Sequence, residues 1–235
     1  MARVSGLWVY QRFGRPDADA VTAKAQRHGL QWVTVEAVEG AQVLGRAWLG
    51  EMRRATRERG MRLGVHGYVG RPTPRPLAEA TAFASAIDAA QADFAIVNAE
   101  IEYETSPKPH SRDFTRRYRA LKGDFPTYFS SFGRPEFHGG LDWAVWGDAG
   151  FWGMPQAYEN LNPKLKPSLC IADWARFFDR AEIRPTLGCF AENGKPRLPL
   201  ARLSASVREV TGLRFNVYRH GTVTDAELQA LSQLT

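Results

Sequence analysis

Three carboxylates follow an apolar run in residues 94–104, whose sequence is FAIVNAEIEYE. Glu100, Glu102 and Glu104 occupy alternate positions, and alternate side chains of a strand share one face. At a rise of about 3.3 Å per residue, Glu100 and Glu102 would lie about 6.6 Å apart along the strand. Because burying an unpaired carboxylate is costly, we expect Glu100 and Glu102 at the open end of a strand, where they could act as acid and base.

The same parity argument selects polar and aromatic residues near the ends of the other predicted strands. The predicted catalytic residues are Glu100, Glu102 and Glu36, and the predicted substrate-binding residues are Tyr10, His66, Tyr68, Asn98, Gln156, Tyr158 and Tyr218. Carboxylates, amides and rings together are typical of sugar chemistry, which needs a proton donor and a charge-stabilising carboxylate. A neighbouring carboxylate is expected to raise the pKa of the donor. We predict no metal and no organic cofactor, because the set contains neither clustered His/Asp ligands nor a Ser/His/Asp arrangement.

Structural roles compete with these functional ones. Glu36 could form an ion pair with Arg12 or Arg71, and His66 could be a hydrogen-bonded core histidine. Gln156 could have only a structural role, as a hydrogen-bond partner at the barrel rim. Glu104 is expected in a solvated loop.

Short apolar runs alternate with helical stretches along the whole chain. The predicted strands are residues 6–10, 31–38, 62–69, 94–102, 127–133, 151–158, 184–190 and 214–220. The predicted helices lie within residues 16–29, 49–60, 76–92, 111–123, 141–150, 168–181, 199–212 and 225–234. Alternating strands and helices imply parallel pairing through right-handed crossovers. We therefore predict an α/β fold in which residues 1–235 form a single (β/α)8 TIM barrel domain, with its active site at the carboxyl ends of the strands.

A doubly wound open sheet is the alternative fold. It usually carries a glycine-rich phosphate turn after the first strand, and the turn here, YQRFGRPD, has no G-x-G-x-x-G pattern.

The composition limits the classes of partner. The chain has 235 residues, a formal net charge of +6 and a pI of about 9.5, which favours anionic partners such as an acidic cell-wall polymer. Nucleic acid is an improbable partner, because the basic residues are dispersed and the cluster at residues 53–59 has the spacing of a helix face. Two cysteines provide no disulfide framework. No apolar run approaches membrane length, so no membrane partner is expected.

The first residues, MARVSGLWVYQRFG, have too short an apolar core for a signal peptide. We therefore expect a protein that is cytoplasmic as synthesised, and that is released or carried in a phage particle if it acts outside the cell.

Residues 63–102 resemble glycoside hydrolase family 25, the muramidases that phages and bacteria use on peptidoglycan. His66, Tyr68, Arg71 and Pro72 fit the third strand of that family and the loop after it. The fourth strand of the family ends in Asp-x-Glu, whose Glu is the general acid. Either residues 98–100 or residues 100–102 occupy that position, and the resemblance implies that Glu100 is the acid in both registers.

The chain departs from the family at two positions. Trp8 stands where the family has an aspartate on its first strand, and Asn98 replaces the aspartate in the first register. An alternative function is therefore a catalytically degenerate barrel that binds glycan or serves as a structural component of a larger assembly, such as a phage virion or tail. A third possibility is a phosphate-handling barrel, for which Asn193, Gly194 and Lys195 form the candidate anion site.

Overall fold

The computed structural model describes residues 3–11, 14–104, 109–192, 194–209 and 212–234. Eight parallel strands form a closed barrel in these residues, which confirms the predicted (β/α)8 fold. The strands follow the order β1-β9-β8-β7-β6-β5-β4-β2, and pairing between β1 and β2 closes the ring. The short strand β3 extends the sheet by antiparallel pairing with the end of β2. None of the helices in the described part of the chain is both long and apolar enough to cross a membrane.

The strands and helices follow the predicted alternation. The strands are β1 (Arg3–Val9), β2 (Trp32–Glu39), β3 (Gln42–Val43), β4 (Arg62–Val69), β5 (Phe94–Ala99), β6 (Thr127–Phe132), β7 (Trp152–Ala157), β8 (Thr186–Gly188) and β9 (Arg214–Tyr218). The α-helices are α1 (Ala18–Arg27), α2 (Arg46–Glu58), α3 (Pro76–Ala90), α4 (Ile101–Glu104), α5 (Pro109–Lys122), α6 (Trp143–Asp148), α7 (Pro167–Trp174), α8 (Leu200–Arg208) and α9 (Asp225–Ser232).

The predicted strand 94–102 was too long. Strand β5 ends at Ala99, and the chain turns directly into α4, where the Tyr103 backbone N–H donates to the Glu100 carbonyl at 2.9 Å. The buried ring of Tyr103 holds this turn, because its hydroxyl donates to the carboxylate of Glu79 at 2.6 Å. Ile101, which the strand pattern placed against the helices, is therefore 56% exposed.

Side-chain parity within the strands separates two hydrophobic clusters. The larger cluster lies between the barrel and its helices and includes Ala95, Val97 and Ala99. The smaller cluster fills the barrel interior with Trp8, Trp32, Phe94, Ile96 and Met154. The odd and even positions of β5 thus face opposite sides of the barrel wall, and the inward series leads to Asn98.

Two glycines make room for the large rings of the interior cluster. A methyl group on Gly6 would collide with the indole of Trp32, and one on Gly64 would collide with the ring of Phe94. The barrel floor therefore combines large rings with neighbouring positions that have no side chain.

We expect Gly64→Ala to lower the free energy of unfolding by about 1–3 kcal/mol, because the added methyl group overpacks the barrel floor. Gly50→Ala is the matched control, since Gly50 lies in α2 with no atom within 4 Å of the added methyl group. The control should be neutral or stabilising by up to about 1 kcal/mol. Urea unfolding of both variants measures the difference, and equal stabilities would contradict the packing assignment.

Candidate active site

A cleft of about 430 Å³ opens at the carboxyl ends of the barrel strands. Polar side chains, aromatic rings and two leucines form its wall. The lining residues are Tyr10, Tyr68, Arg71, Asn98, Glu100, Phe132, Gly133, Gln156, Tyr158, Leu161, Leu165, Phe190, Glu192 and Tyr218. Of the ten site residues predicted from the sequence, seven line this cleft, and Glu102, Glu36 and His66 do not.

Glu100 lies at the centre of a hydrogen-bond network in the cleft. Its Oε1 accepts from Gln156 Nε2 at 2.8 Å and from Asn98 Nδ2 at 3.0 Å. Its Oε2 accepts from the Tyr68 hydroxyl at 3.3 Å. Gln156 also donates to Asn98 Oδ1 at 3.1 Å, which ties the two amides together. Side chains from β4, β5 and β7 thus fix the orientation of a carboxylate that remains partly exposed.

Glu102 is held in an ion pair beside the cleft. Its Oε2 accepts from the Tyr68 hydroxyl at 2.6 Å, and its Oε1 accepts from Arg71 Nε at 3.2 Å. The Arg71 guanidinium also lies over the Tyr68 ring, 3.8 Å from its centroid. Burial disfavours the ionised carboxylate, but hydrogen bonds from Tyr68, the Glu102 backbone and Arg71 outweigh that effect and lower the pKa of Glu102.

Tyr68 connects the two carboxylates. Burial, reinforced by the charges of Glu100 and Glu102, raises the pKa of the Tyr68 hydroxyl. The hydroxyl therefore keeps its one proton at neutral pH, and its shorter contact is with Glu102 rather than with Glu100. Glu100 and Glu102 come together through this hydroxyl, and not through the strand alternation that the sequence suggested, because Glu102 lies in α4.

Glu36 and His66 lie below the cleft, inside the barrel. Glu36 is 0% exposed and His66 is 1% exposed. The His66 ring contacts Trp8 and Tyr10, with centroid separations of 4.6 Å in both cases, and its Nδ1 lies 3.3 Å from Thr34 Oγ1. This placement suits a supporting role under Tyr10. Arg12, one predicted partner of Glu36, falls outside the described residues.

Aromatic side chains form one wall of the cleft. Tyr218 packs against Tyr10, Phe190 and Tyr158 with ring centroids 5.3, 5.3 and 5.5 Å away. Burial, with the nearby hydroxyls of Tyr218 and Tyr10 and the carboxylates of Glu100 and Glu192, raises the pKa of Tyr158. The Tyr158 hydroxyl makes no hydrogen bond to any described residue. It is therefore a protonated donor that a ligand in the cleft could use.

The structure adds residues that the sequence argument missed. Glu192 and Phe190 line the cleft from the segment after β8. The sequence pattern could have identified them, because Gly188, Phe190 and Glu192 occupy alternate positions that continue one face of the predicted strand 184–190. The sequence predicts a candidate anion site in that segment, and Asn193, one of its three residues, is outside the described residues. The Glu192 and Lys195 backbones there hydrogen-bond to each other at 3.1 and 2.8 Å.

A second depression of about 440 Å³ adjoins the cleft, and Arg71 borders both. Its other lining residues include Glu39, Gln42, Arg75 and Glu102. Arg75 is exposed and forms no ion pair with a described residue. This depression therefore offers a free guanidinium next to the carboxylate centre.

The described residues include no group of three or more His, Cys, Asp or Glu side chains that could hold a metal ion. Both cysteines are free and buried, as expected, and burial raises the pKa of the Cys170 thiol to about 12.

Solved structures with the same barrel include several enzymes that act on glycans. A class V chitinase from Pseudomonas fluorescens Pf-5 has a TM-score of 0.74 at 10% identity, with 99% of this chain and 100% of that chain covered. The spore cortex-lytic enzyme SleL from Bacillus cereus has a TM-score of 0.68 at 8% identity, with 98% and 74% covered. A chitinase from Chromobacterium violaceum has a TM-score of 0.67 at 13% identity, with 98% and 99% covered.

The same barrel also occurs in endonuclease IV from Thermus thermophilus, with a TM-score of 0.62 at 10% identity and 98% of each chain covered. No protein-family model matches the chain, and no curated protein matches it. At these identities the likeness shows the fold alone, so function has to be argued from the site.

We expect Glu102→Gln to destabilise the protein more at pH 7 than near pH 3. The pKa of Glu102 is lowered by folding, so its stabilising effect is complete above the unfolded value of about 4.3 and is lost as the pH falls through the folded value. Because the pair with Arg71 is partly exposed, the effect at pH 7 should be at most about 1 kcal/mol.

Urea unfolding of the wild type and the variant at both pH values measures this difference. Glu51→Gln, on the exposed side of α2, is the control and should show no such pH dependence. A Glu102→Gln deficit that grows toward pH 3 would contradict the assignment.

Proposed function

We propose that this protein is a glycoside hydrolase in which Glu100 donates the proton to the leaving glycosidic oxygen. One observation carries the proposal. Glu100 is a partly exposed carboxylate in a ring-lined cleft at the carboxyl end of the barrel, and three side chains fix its orientation. Chitinases and a cortex-lytic enzyme among the structural neighbours support a glycan as the substrate.

The roles of the remaining carboxylates follow from their contacts. Glu102 is bound by Tyr68 and Arg71, so we assign it to positioning the Tyr68 hydroxyl against Glu100. Glu36 is enclosed in the barrel and supports the cleft from below. Stabilisation of positive charge at the sugar carbon then falls either to Glu192, which lines the same cleft, or to a 2-acetamido group of the substrate itself.

The aromatic wall supplies the binding surface for the sugar. Tyr10, Tyr158 and Tyr218 present rings that can pack on pyranose faces, and the Tyr158 hydroxyl can donate to a sugar oxygen. The amides of Asn98 and Gln156 are already committed to Glu100, so their main function is to orient the acid.

One cation beside the cleft could pair with a carboxylate of an acidic glycan. Arg75 is free of ion pairs with described residues in the adjoining depression, and the chain as a whole has a net charge of +6. The peptides of peptidoglycan carry free carboxylates, whereas chitin is uncharged. We therefore propose peptidoglycan as the substrate. The resemblance to glycoside hydrolase family 25, and a phage particle as the setting, agree with this proposal and remain predictions.

A glycan-binding barrel without catalysis is the second candidate. The observation that favours it is the pairing of Glu102 with Arg71, which leaves Glu100 without a second free carboxylate on the neighbouring residues. An assembly such as a virion or tail would be the setting for a protein of this kind.

Glu100→Gln should lower the rate of peptidoglycan hydrolysis by about 10²–10⁴-fold, because the amide cannot donate the proton. Reducing-sugar release from purified cell walls measures the rate, and Glu51→Gln should retain full activity. Glu192→Gln tests whether Glu192 or the 2-acetamido group of the substrate stabilises the positive charge at the sugar carbon. A large loss assigns the role to Glu192, and an unchanged rate assigns it to the acetamido group.

An unaltered rate in Glu100→Gln would refute the proposed acid. Wild-type binding to cell walls without hydrolysis, measured by co-sedimentation, would favour the glycan-binding alternative.

Arg75→Gln should raise KM for peptidoglycan fragments by about two- to fivefold while leaving kcat unchanged, because an exposed ion pair contributes up to about 1 kcal/mol. Neutral chito-oligosaccharides should show no change in KM. Arg208→Gln, which removes the same charge from α8, is the control for net charge. Equal effects of Arg75→Gln on charged and neutral substrates would contradict the role of Arg75.

A further inference from the structure

A depression of about 790 Å³ lies at the opposite end of the barrel, where the strands begin. Three ring side chains, Trp32, Tyr128 and Trp152, line it from the starts of β2, β6 and β7. Its volume falls within the range of about 300–1,000 Å³ that is usual for small-molecule sites.

Four arginines line the same depression. Arg62 and Arg214 are the first residues of β4 and β9, Arg184 precedes β8, and Arg59 follows α2. The barrel topology brings these residues together, although they are spread over 155 positions from Arg59 to Arg214.

Three of the four guanidinium groups have no acidic partner among the described residues. Arg59 pairs with Asp19 at 3.0 Å, but Arg62, Arg184 and Arg214 form no ion pair with any described residue. Their hydrogen bonds go to neutral oxygens instead. Arg62 donates to the Asp93 carbonyl at 3.5 Å, Arg184 to the Ile183 carbonyl at 3.0 Å and Arg214 to the Gln31 amide at 3.2 Å.

The charges of these three arginines converge on Tyr128. Burial raises the pKa of the Tyr128 hydroxyl, while Arg184, Arg62 and Arg214 all oppose that rise. Glu182 acts in the opposite direction to the arginines and adds to the rise. Since like charges repel when they are brought together, the depression has a net positive field that an anion would relieve.

We propose that this depression is a binding site for a small oligophosphate-bearing ligand, held by the guanidinium groups of Arg62, Arg184 and Arg214 over a floor of Trp32, Tyr128 and Trp152. Guanidinium forks match the geometry of phosphate oxygens and form charge-assisted hydrogen bonds with them. The rings can accommodate a planar group attached to the phosphates, as in a nucleotide. The site is separate from the glycan cleft, because it lies at the other end of the barrel.

The test measures binding of tripolyphosphate, ATP and adenosine by isothermal titration calorimetry, with the tryptophan fluorescence of Trp32 and Trp152 as a second signal. Tripolyphosphate and ATP should bind and adenosine should not. Tighter binding of ATP than of tripolyphosphate would show that the rings add to recognition, and equal binding would show that the phosphates suffice. Affinity should fall as salt is raised, because the contacts are ionic.

Arg62→Gln and Arg214→Gln should each weaken tripolyphosphate binding by about tenfold or more, and Arg208→Gln should leave it unchanged. Arg62 and Arg214 are both exposed, and thermal unfolding verifies that each variant folds. In addition, tripolyphosphate should raise the melting temperature of the wild type more than that of the double variant.

Three results would overturn the proposal. They are the absence of binding by tripolyphosphate and ATP, equal losses in the Arg208→Gln control, and binding only to long polyanions such as heparin or polyuridylate.

Discussion

The arrangement of the cleft depends on one hydrogen-bonded carboxylate. Glu100 directly follows β5, and its oxygens accept from residues on β4, β5 and β7. Its partners are two amides and a phenol, none of which carries a charge. Only the closed barrel brings these donors to one point, since Tyr68 and Gln156 lie 88 positions apart in the chain.

The single turn α4 explains why two carboxylates separated by one residue have different environments. Glu100 faces the cleft, whereas Glu102 turns away to Arg71 and shares only the Tyr68 hydroxyl with Glu100. An extended strand would have directed both side chains into the barrel mouth, where like charges would repel. Ending the strand at Ala99 leaves one carboxyl group in the cleft and pairs the other with Arg71.

The two ends of the barrel differ in charge and in shape. The end where the strands finish has Glu100, Glu192 and an aromatic wall. The opposite end has three arginines, which have no acidic partner in the described part of the chain, above a floor of rings. The net charge of +6 is therefore not spread evenly. A glycan at the first end and a phosphorylated ligand at the second are chemically compatible occupants, because rings and amides suit sugars whereas guanidinium groups suit phosphates.

The sequence by itself determined the strand–helix alternation and the inward parity of β5, and it made Glu100 the candidate acid, because periodicity and residue type are local properties. It also placed Tyr68, Gln156 and Tyr158 at strand ends. The end of β5, the enclosure of Glu36 and His66, the entry of Glu192 and the convergence of Arg62, Arg184 and Arg214 were decided only by the tertiary structure. These features depend on which distant segments pack together. The burial of Tyr103 ends β5, and the closure of the barrel brings residues from distant strands close to one another.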